Sequence, residues 1–478
     1  MNYKSIRYVL SWVLKIEAFC MILPLICAII YSEHNVGIWL FTIAMCFSCG
    51  ILLCIKPPQN KTMYAKDGFV AVALSWIVLS IFGALPLVFT GSVPSFIYAL
   101  FETVSGFTTT GASVIADLDV IPRSIIFWRS FTHWIGGMGV LVFLVALLPL
   151  TGSSNFFLIK AESPGPAVSK LVPKVKSTAK ILYLIYIGLT ALQMILLLCG
   201  GMKPFDAITL TFGTAGTGGF GISNAGFSEY SSYSHIVITV FMILFGIDFS
   251  IYHLIIMRKF RSALKSDEVK TYLGIIIAAI VILCFNCSHL YESLFDNVKH
   301  SAFQVASIIT TTGYSTVDFN LWPELSKSIL VLLMFFGACA GSTGGGIKIS
   351  RVMIMFKSII KEVRILAHPK STLKIKMNGR AVEHETVRAV NVFMMAYIAI
   401  FATSLIIISL DNLDFTTNFT AVAATINNIG PGLGAVGPMA NFSVYSPLST
   451  FVLICNMLIG RLEIFPLLLL VSPYTWKK

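Results

Sequence analysis

Four short turns rich in threonine, glycine and asparagine each follow an apolar stretch of this 478-residue chain. They occupy residues 109–112, 216–219, 311–314 and 428–431. Backbone carbonyls and threonine hydroxyls are neutral oxygen ligands, and several of them aimed at one axis can replace the water around a monovalent cation. Glycine, which has no Cβ, permits the unusual dihedrals that point successive carbonyls the same way. The turns therefore predict an ion pathway lined by oxygen atoms.

The chain repeats around these turns. Their central glycines, Gly111, Gly218, Gly313 and Gly430, lie 107, 95 and 117 residues apart. That period holds two membrane helices and a shorter helix between them. We therefore expect an N-terminal two-helix extension followed by four pore repeats. The boundaries expected for the extension and the four repeats are 1–60, 61–160, 161–262, 263–370 and 371–478.

The elements that must position these turns are membrane helices. The chain is 56% hydrophobic with a mean hydropathy of +0.84, and 12% of its residues are charged, compared with about 25% in soluble domains. We expect an all-α polytopic membrane protein without a large soluble domain. Ten stretches of about 20 apolar residues predict crossings. They lie at about 8–32, 36–55, 68–90, 124–148, 180–201, 234–257, 271–290, 326–356, 390–410 and 447–472.

A shorter apolar segment precedes each turn and is too short to cross the bilayer. These segments are predicted to be re-entrant pore helices, and each carries or follows a polar residue such as Glu102 or Gln304. The negative C-terminal end of each helix dipole would point at the turn and favour a cation there. The four predicted pore helices are residues 95–108, 204–215, 299–310 and 415–427.

The net charge of +12 reflects topology and not nucleic-acid binding. Of the 34 lysines and arginines, 27 lie at the two ends of the chain and in loops on one side of the ten-span arrangement. The positive-inside rule makes that side cytoplasmic, which places both termini in the cytoplasm. The basic residues between 357 and 388 also suit an acidic cytosolic partner.

One predicted span contains an irregular loop. The 326–356 stretch is interrupted by Gly341, Ser342, Thr343, Gly344, Gly345 and Gly346. Each glycine costs about 1 kcal/mol in a helix relative to alanine, and irregular backbone at membrane depth is tolerated only where it is buried or lines a cavity. We expect a gate beneath the filter; the alternative is a kink that serves helix packing.

Ionisable residues inside the last span point to the same place. An intramembrane charge is by default a functional hypothesis, and we expect Arg461 to hydrogen-bond the carbonyls of the glycine loop and raise the barrier to ions. In the alternative, Arg461 pairs with Glu463 or Asp248 and only fastens helices together. His133, within the polar stretch 130–139, is expected to be a hydrogen-bonded packing residue.

These features resemble the Trk/Ktr/HKT potassium transporter superfamily. The resemblance rests on four helix–pore helix–helix repeats with one filter glycine each, and on three motifs: Thr-His-Trp-Ile-Gly-Gly-Met-Gly at 132–139, Gly-Ser-Thr-Gly-Gly-Gly-Ile-Lys at 341–348 and Gly-Arg-Leu-Glu at 460–463. The two additional N-terminal spans are similar to the TrkH branch.

The resemblance implies a pseudo-tetrameric pore within one chain, a homodimer, and a cytosolic ring of nucleotide-binding TrkA-type regulatory subunits. It also implies a multi-pass protein of the bacterial inner membrane, surrounded by lipid, that transports K⁺. No organic cofactor on this chain and no nucleic-acid partner are expected.

The family's potassium ligands map onto the two residues before each filter glycine. Those positions are Thr109, Thr110, Gly216, Thr217, Thr311, Thr312, Asn428 and Ile429. Sodium-selective members of the family tend to carry serine at the first filter position, so glycine there favours potassium. The fourth turn has no threonine, and we therefore expect looser selectivity than in tetrameric potassium channels. By the same resemblance the 341–346 loop is the gate and Arg461 its latch.

Two alternatives remain open at this point. The same fold could couple K⁺ movement to H⁺ or Na⁺, because no dedicated acidic relay distinguishes the mechanisms. A membrane-embedded enzyme would need a nucleophile with a base, or a metal cluster, at one depth, and the eight histidines are scattered along the sequence.

Overall fold

The computed structural model describes residues 1–55, 63–139, 175–224, 226–371 and 373–477. The architecture is a bundle of membrane helices, as the sequence predicts, and it begins with a two-helix extension. In this extension α1 (Tyr3–Cys20) and α2 (Ile22–Ile30) form one long span, and α3 (Val36–Cys54) returns beside it. The expected extension of residues 1–60 is described as far as residue 55.

Each following unit opens with an apolar helix. These helices are α4 (Ala65–Phe89), α7 (Val175–Cys199), α12 (Asp267–Asn286) and α16 (His384–Ile408). A short helix follows each of them, and these are α5 (Phe96–Phe107), α8 (Pro204–Gly216), α13 (Leu294–Ile309) and α17 (Phe415–Ile426). Their bounds lie within a few residues of the predicted pore helices, except that α13 begins five residues earlier.

The closing helices of the units are broken. The first, α6 (Arg123–Gly137), is followed by residues 140–174, so part of the predicted 124–148 span lies outside the described residues. The other three consist of two pieces each. They are α9 (Ser232–Phe245) with α10 (Phe249–Ile256), α14 (Glu324–Phe335) with α15 (Ile349–Ala367), and α18 (Pro447–Arg461) with α19 (Phe465–Val471).

The sequence predicted an interruption in the third unit alone, and that expectation was incomplete. Between α9 and α10 the chain bends by 92°, and Asp248 starts the new helix by accepting the Ser250 amide at 2.8 Å. Between α18 and α19, Glu463 and Ile464 both adopt positive φ, at 56° and 71°. Among the described residues, six helices are long and apolar enough to cross a membrane, or seven if the bent pair counts as one span.

The extension is fastened to the first unit by a polar contact inside an apolar core. Trp39 of α3 is fully buried, and its indole nitrogen donates to Ser124 of α6 at 3.1 Å. One core cluster joins the extension to the first and fourth units, and two further clusters fill mainly the third and second units. Each of these three clusters includes a residue of one of the four turns, namely Ala112, Ile429 and Tyr314.

A small β-hairpin departs from the otherwise helical architecture. Strands β1 (Lys376–Met377) and β2 (Arg380–Ala381) pair antiparallel across an Asn378–Gly379 turn with φ of 50° and 77°. Asn-Gly is the favoured pair for such a two-residue turn because both positions need positive φ. The remaining helical elements of the described residues are two short helices, α11 (Phe260–Ala263) and α20 (Pro473–Trp476), and six 3₁₀ turns.

Candidate functional site

The four short helices end in the same backbone conformation. The residue after each helix, or one beyond it, is left-handed, with φ of 56° at Thr109, 56° at Thr217, 59° at Thr311 and 55° at Asn428. In each turn the next amide donates back to the carbonyl five residues earlier, for example Thr110 to Ser105 at 2.8 Å. This is the hydrogen bond of a Schellman helix end, where glycine usually takes the left-handed position.

Threonine in the left-handed region is a true conformational outlier. The β-branched side chain costs of order 1–2 kcal/mol there relative to a right-handed residue, and such strain persists only when the surroundings hold it. Here Thr109, Thr217 and Thr311 are all fully buried. Three strained threonines and one asparagine at equivalent positions indicate that the backbone shape of the turns is what the fold maintains.

A glycine with positive φ follows two residues after each left-handed residue. These glycines are Gly111 at 82°, Gly219 at 71°, Gly313 at 83° and Gly430 at 102°. The prediction that Gly218 is the equivalent of Gly111 is therefore wrong by one residue. The sequence offers two adjacent glycines in the second turn, and only the backbone, with the Gly218 amide bonded to the Gly213 carbonyl at 2.9 Å, identifies the register.

The corrected register closes a ring. A Cβ added to Gly111 would overlap the Gly218 carbonyl oxygen, and one on Gly219 would overlap that of Thr312. The same relation links Gly313 to Ile429, and Gly430 approaches Thr110, 2.8 Å from the added Cβ. Each turn thus lies against the carbonyl of the next, and the fourth lies against the first. A cyclic arrangement of this kind leaves one central axis that all four turns share.

Hydroxyl pairs brace two of the turns from behind. Thr108 and Thr110 lie 2.8 Å apart through their hydroxyls, as do Thr310 and Thr312. In the fourth turn, Asn428 donates to the Thr110 hydroxyl at 3.0 Å and to the Met457 carbonyl at 2.9 Å. The fourth turn is therefore tied to the first by a side chain where it has no threonine of its own.

A buried ion pair anchors the first turn. Arg129 of α6 donates to Glu102 of α5 at 2.7 Å, and both side chains are at most 2% exposed. Glu102 also accepts the Val114 amide at 2.9 Å and the Ser113 hydroxyl at 3.0 Å. The carboxylate thus joins the pore helix to the chain that leaves the filter turn.

The glycine-rich loop of the third unit closes on itself beside the third turn. Its ends meet where the Gly337 amide donates to the Ile347 carbonyl at 2.8 Å. The Gly345 amide donates to the Thr311 hydroxyl at 2.7 Å, which places the loop directly against the third turn. An added Cβ on Gly345 would come 2.6 Å from the Asn427 carbonyl of the fourth unit. Small residues are needed here because the adjoining Asn427 carbonyl leaves no room for a Cβ on Gly345.

Arg461 joins this loop to the first unit. It donates to the Thr343 carbonyl at 2.9 Å, to the Gly137 carbonyl at 2.9 Å and also to the Gly136 carbonyl. The alternative partners, Glu463 and Asp248, are engaged elsewhere. Glu463 pairs with Arg351 through bonds of 3.0 and 2.5 Å, and Asp248 caps α10. The Thr343 carbonyl belongs to the 341–346 loop, so Arg461 bonds the loop as expected, and the alternative pair with Glu463 or Asp248 is not formed because backbone carbonyls surround its guanidinium.

Two further charged residues hold the loop, and sequence reasoning missed both. Lys348 is 1% exposed and donates to the Gly345 carbonyl at 3.3 Å and to that of Gly344. Glu268 of α12 accepts the Ala340 amide at 2.8 Å and the Ser350 amide at 3.0 Å. The rule that flagged Arg461, an ionisable residue within an apolar span, would have identified Lys348. Glu268 gave no such signal because it lies in the first turn of its helix.

His133 takes a different place from the predicted hydrogen-bonded packing residue. It is fully buried, and within the described part of the chain neither ring nitrogen has a hydrogen-bond partner. The ring stacks on Phe220 at 4.2 Å. Its expected role as a bonded packing residue is therefore wrong in one respect: it packs, but without hydrogen bonds to the described residues.

Residues that could support enzyme chemistry do not converge. Across the described ranges no group of three or more histidine, cysteine, aspartate or glutamate side chains is placed to hold a metal ion. The polar groups that do converge are carbonyls, hydroxyls and amides around the ring of turns. Such a set suits a monovalent cation, which gives up its water for neutral oxygen ligands.

Comparisons with known proteins agree with this geometry. A family model described as "TrkH: Cation transport protein" matches residues 38–477. The Trk system potassium uptake protein TrkH of Salmonella typhimurium is 35% identical over 485 residues, covering 100% of both chains. TrkG of Escherichia coli, also named a Trk system potassium uptake protein, is 32% identical and covers 100% of this chain and 99% of its own. The crystal structure of the potassium transporter TrkH from Vibrio parahaemolyticus superposes with a TM-score of 0.89 at 32% identity, covering 100% of both chains.

Proposed function

The chain belongs to the TrkH family of cation transport proteins, and from this premise we propose that it is the membrane subunit of a potassium uptake system. The observation that carries the proposal is the closed ring of four turns, in which each positive-φ glycine faces the carbonyl of the next turn. Relatives that are 32–35% identical, and that match over 99–100% of their length, are named potassium uptake proteins.

Potassium is the transported ion, held by backbone oxygens of the four turns. The residues that would supply them are the left-handed residue of each turn and the one after it. In the corrected register these are Thr109, Thr110, Thr217, Gly218, Thr311, Thr312, Asn428 and Ile429. Because the fourth turn replaces threonine by Asn428 and Ile429, selectivity is expected to be looser than in a symmetric filter, with Rb⁺ and Cs⁺ accepted beside K⁺.

The loop of residues 341–346 is the proposed gate. Support comes from its position against the third turn. Residues of three units also bond the loop or its flanking residues, namely Arg461 of the fourth unit, Glu268 of the third, and the carbonyls of Phe245 and Gly246 of the second. Ions that leave the filter toward the cytoplasm would meet this loop next. The competing reading, a kink for helix packing, would not need contacts with the filter turn itself.

The four pore repeats with the boundaries predicted above form a pseudo-tetramer within one chain. Assembly as a homodimer in the bacterial inner membrane, with both termini cytoplasmic and a TrkA-type nucleotide-binding ring on the cytosolic side, is part of the same proposal. The family membership supports association with other components of a Trk system. The basic residues between 357 and 388 would face such a partner.

The test is ⁸⁶Rb⁺ flux into liposomes that contain the purified protein alone, with K⁺ and Na⁺ as competitors and a proton gradient as a variable. Flux that K⁺ blocks more strongly than Na⁺ would support potassium transport. Indifference to the proton and sodium gradients would favour a channel, whereas dependence on either gradient would favour the coupled alternative. Flux that appears only with the cytosolic ring would still support transport, and no K⁺-sensitive flux under either condition would overturn the proposal.

A further inference from the structure

The second turn differs from the others in having no side chains behind its carbonyls. In turns one and three the equivalent positions carry the Thr108–Thr110 and Thr310–Thr312 hydroxyl pairs. In the fourth turn these positions are Asn427 and Ile429, both fully buried. In the second turn they are Gly216 and Gly218. The brace that supports the backbone elsewhere is absent here.

A residue from the neighbouring unit fills that space. A Cβ on Gly218 would overlap the His133 ring at its Cγ, Cδ2 and Nδ1 atoms, and one on Gly216 would overlap the His133 carbonyl and lie 3.0 Å from its Cβ. His133 belongs to α6 of the first unit. One histidine thus occupies the volume of both missing side chains.

The imidazole of His133 is packed tightly enough to support the turn. Phe220, one residue after the positive-φ Gly219, stacks on the imidazole at 4.2 Å with an interplanar angle of 23°. Arg129, one turn earlier on α6, places its guanidinium 4.2 Å from the centre of the Phe220 ring. The imidazole is therefore clamped between the filter turn and an aromatic ring, and it is fully buried.

From this arrangement we infer that His133 is a specificity-determining positioning residue, whose imidazole replaces the missing side chains of the second turn and fixes the Gly218 carbonyl in the ring. That carbonyl is the one that faces Gly111. If the second turn could relax, the ring of four turns would widen and would also accommodate ions other than K⁺. The inference rests on the proposed potassium transport function.

The experiment compares K⁺ over Na⁺ permeability ratios of purified variants in liposomes, after the wild-type chain has shown K⁺-sensitive ⁸⁶Rb⁺ flux. His133→Ala removes the support, and we expect the ratio to fall several-fold. His133→Phe keeps a planar ring without nitrogens and should retain most of the selectivity. His235→Ala is the matched control, because His235 is also buried but lies at the start of α9, bonds the Phe227 carbonyl at 2.8 Å, and has its ring against Phe227, His300 and Phe303, none of which belongs to a turn.

A reciprocal pair of substitutions separates support from simple damage. Gly218→Ala should impair selectivity when His133 is present, because the added Cβ meets the ring, and should be tolerated or restorative in His133→Ala, where the space is empty. Gly218 does not have positive φ, so the methyl group adds no backbone strain.

Each result decides the matter. A folded, monodisperse His133→Ala protein with the wild-type ratio would overturn the inference, as would a His133→Phe protein as unselective as His133→Ala. Additive effects of His133→Ala and Gly218→Ala would also contradict it, since coupled neighbours should not be additive. If the wild-type protein itself shows no K⁺-sensitive flux, that result counts against the proposed function instead.

Discussion

At the scale of single residues, the filter turns depend on side chains in an unfavourable backbone conformation. Thr109, Thr217 and Thr311 are left-handed and buried, and the surrounding hydrogen bonds hold them there. The glycines two positions later face carbonyls so closely that no side chain fits. Two kinds of position therefore set the backbone shape of the four turns. At one kind only glycine fits, and at the other a residue with a Cβ is held in a strained conformation.

The corrected register gives a direct residue-scale prediction. We expect Gly219→Ser to lower the K⁺ over Na⁺ permeability ratio several-fold, because a Cβ there would overlap the Thr312 carbonyl and φ is 71°. Gly221→Ser is the matched control two residues further on, where the nearest atom is 3.6 Å from an added Cβ. Liposome flux with ion competition measures both, and a normal ratio for Gly219→Ser would contradict the register.

The ion pair between Glu102 and Arg129 makes a prediction about stability. Removing one partner strands a buried charge, so Glu102→Met or Arg129→Met alone should each cost about 3–5 kcal/mol of unfolding free energy. The double variant should cost clearly less than the sum, because no charge is then left unpaired. Denaturation of the four proteins in mixed micelles measures this cycle.

An exposed pair provides the contrast for that cycle. Lys327 and Glu324 lie 2.5 Å apart with side chains 21% and 86% exposed, and Lys327→Ala should change the stability by less than about 1 kcal/mol. Equal and additive costs for Glu102→Met and Arg129→Met would show that the pair contributes no specific coupling.

At the scale of elements, the closing helices of the second, third and fourth units are each broken. The breaks are at 246–248, 336–348 and 462–464, and the chain of the first unit turns at Gly139 with φ of 83°. Backbone groups freed at such breaks need partners. The side chains of Arg461, Lys348 and Glu268 each bond backbone groups in or beside the third break. The third break is the longest, and its Gly345 amide bonds the Thr311 hydroxyl of the third turn.

The proposed latch, Arg461, acts at this scale. Arg461→Met removes the bonds to Thr343 and Gly137, and hydrogen bonds from a charged donor contribute about 1.5–3 kcal/mol each. A shift of about 1.4 kcal/mol in the gate equilibrium corresponds to tenfold, so basal ⁸⁶Rb⁺ flux should rise by about tenfold or more. Arg261→Met, at an exposed arginine of α11, should leave flux unchanged. Flux at or below the wild-type level for Arg461→Met would favour the packing kink.

At the scale of the whole molecule, the β-hairpin and the glycine-rich loop share one connection. Asp267 and Asn378 exchange hydrogen bonds of 2.8 Å in both directions between α12 and the hairpin turn. The next residue, Glu268, accepts amides from both ends of the gate region, Ala340 and Ser350. Adjacent residues of one helix end thus contact the proposed partner-facing surface and the proposed gate.

We expect this connection to carry regulation and not basal opening. Asn378→Gly keeps the left-handed turn but removes the side-chain acceptor, so stimulation of flux by the cytosolic ring should fall while flux without the ring stays the same. Asn412→Gly is the matched control, since Asn412 is also left-handed, at 56°, but lies in another loop. Flux assays with and without the ring and its nucleotide measure the response. Full stimulation in Asn378→Gly would show that regulation takes another route.

Much of this architecture is determined by the sequence alone. Apolar stretches of about 20 residues and shorter ones before each turn specify the membrane helices and pore helices, because burying a backbone in lipid leaves few alternatives. The position of the irregular loop follows from its glycines, and the interest of Arg461 follows from a charge in an apolar span. These are local properties, which a single chain displays without neighbours.

Only the tertiary structure decides what depends on neighbours. Gly218 and Gly219 are indistinguishable in sequence, and the carbonyls of the adjoining turns identify Gly219 as the filter equivalent. Arg461, Arg351 and Glu463 could pair in several ways, and packing gives Glu463 to Arg351 and backbone carbonyls to Arg461. His133 lies behind the second turn because α6 packs against a turn that is more than 80 residues further along the chain. Partner choice and register are set by long-range packing, because the competing local arrangements have nearly the same energy until the other units close around them.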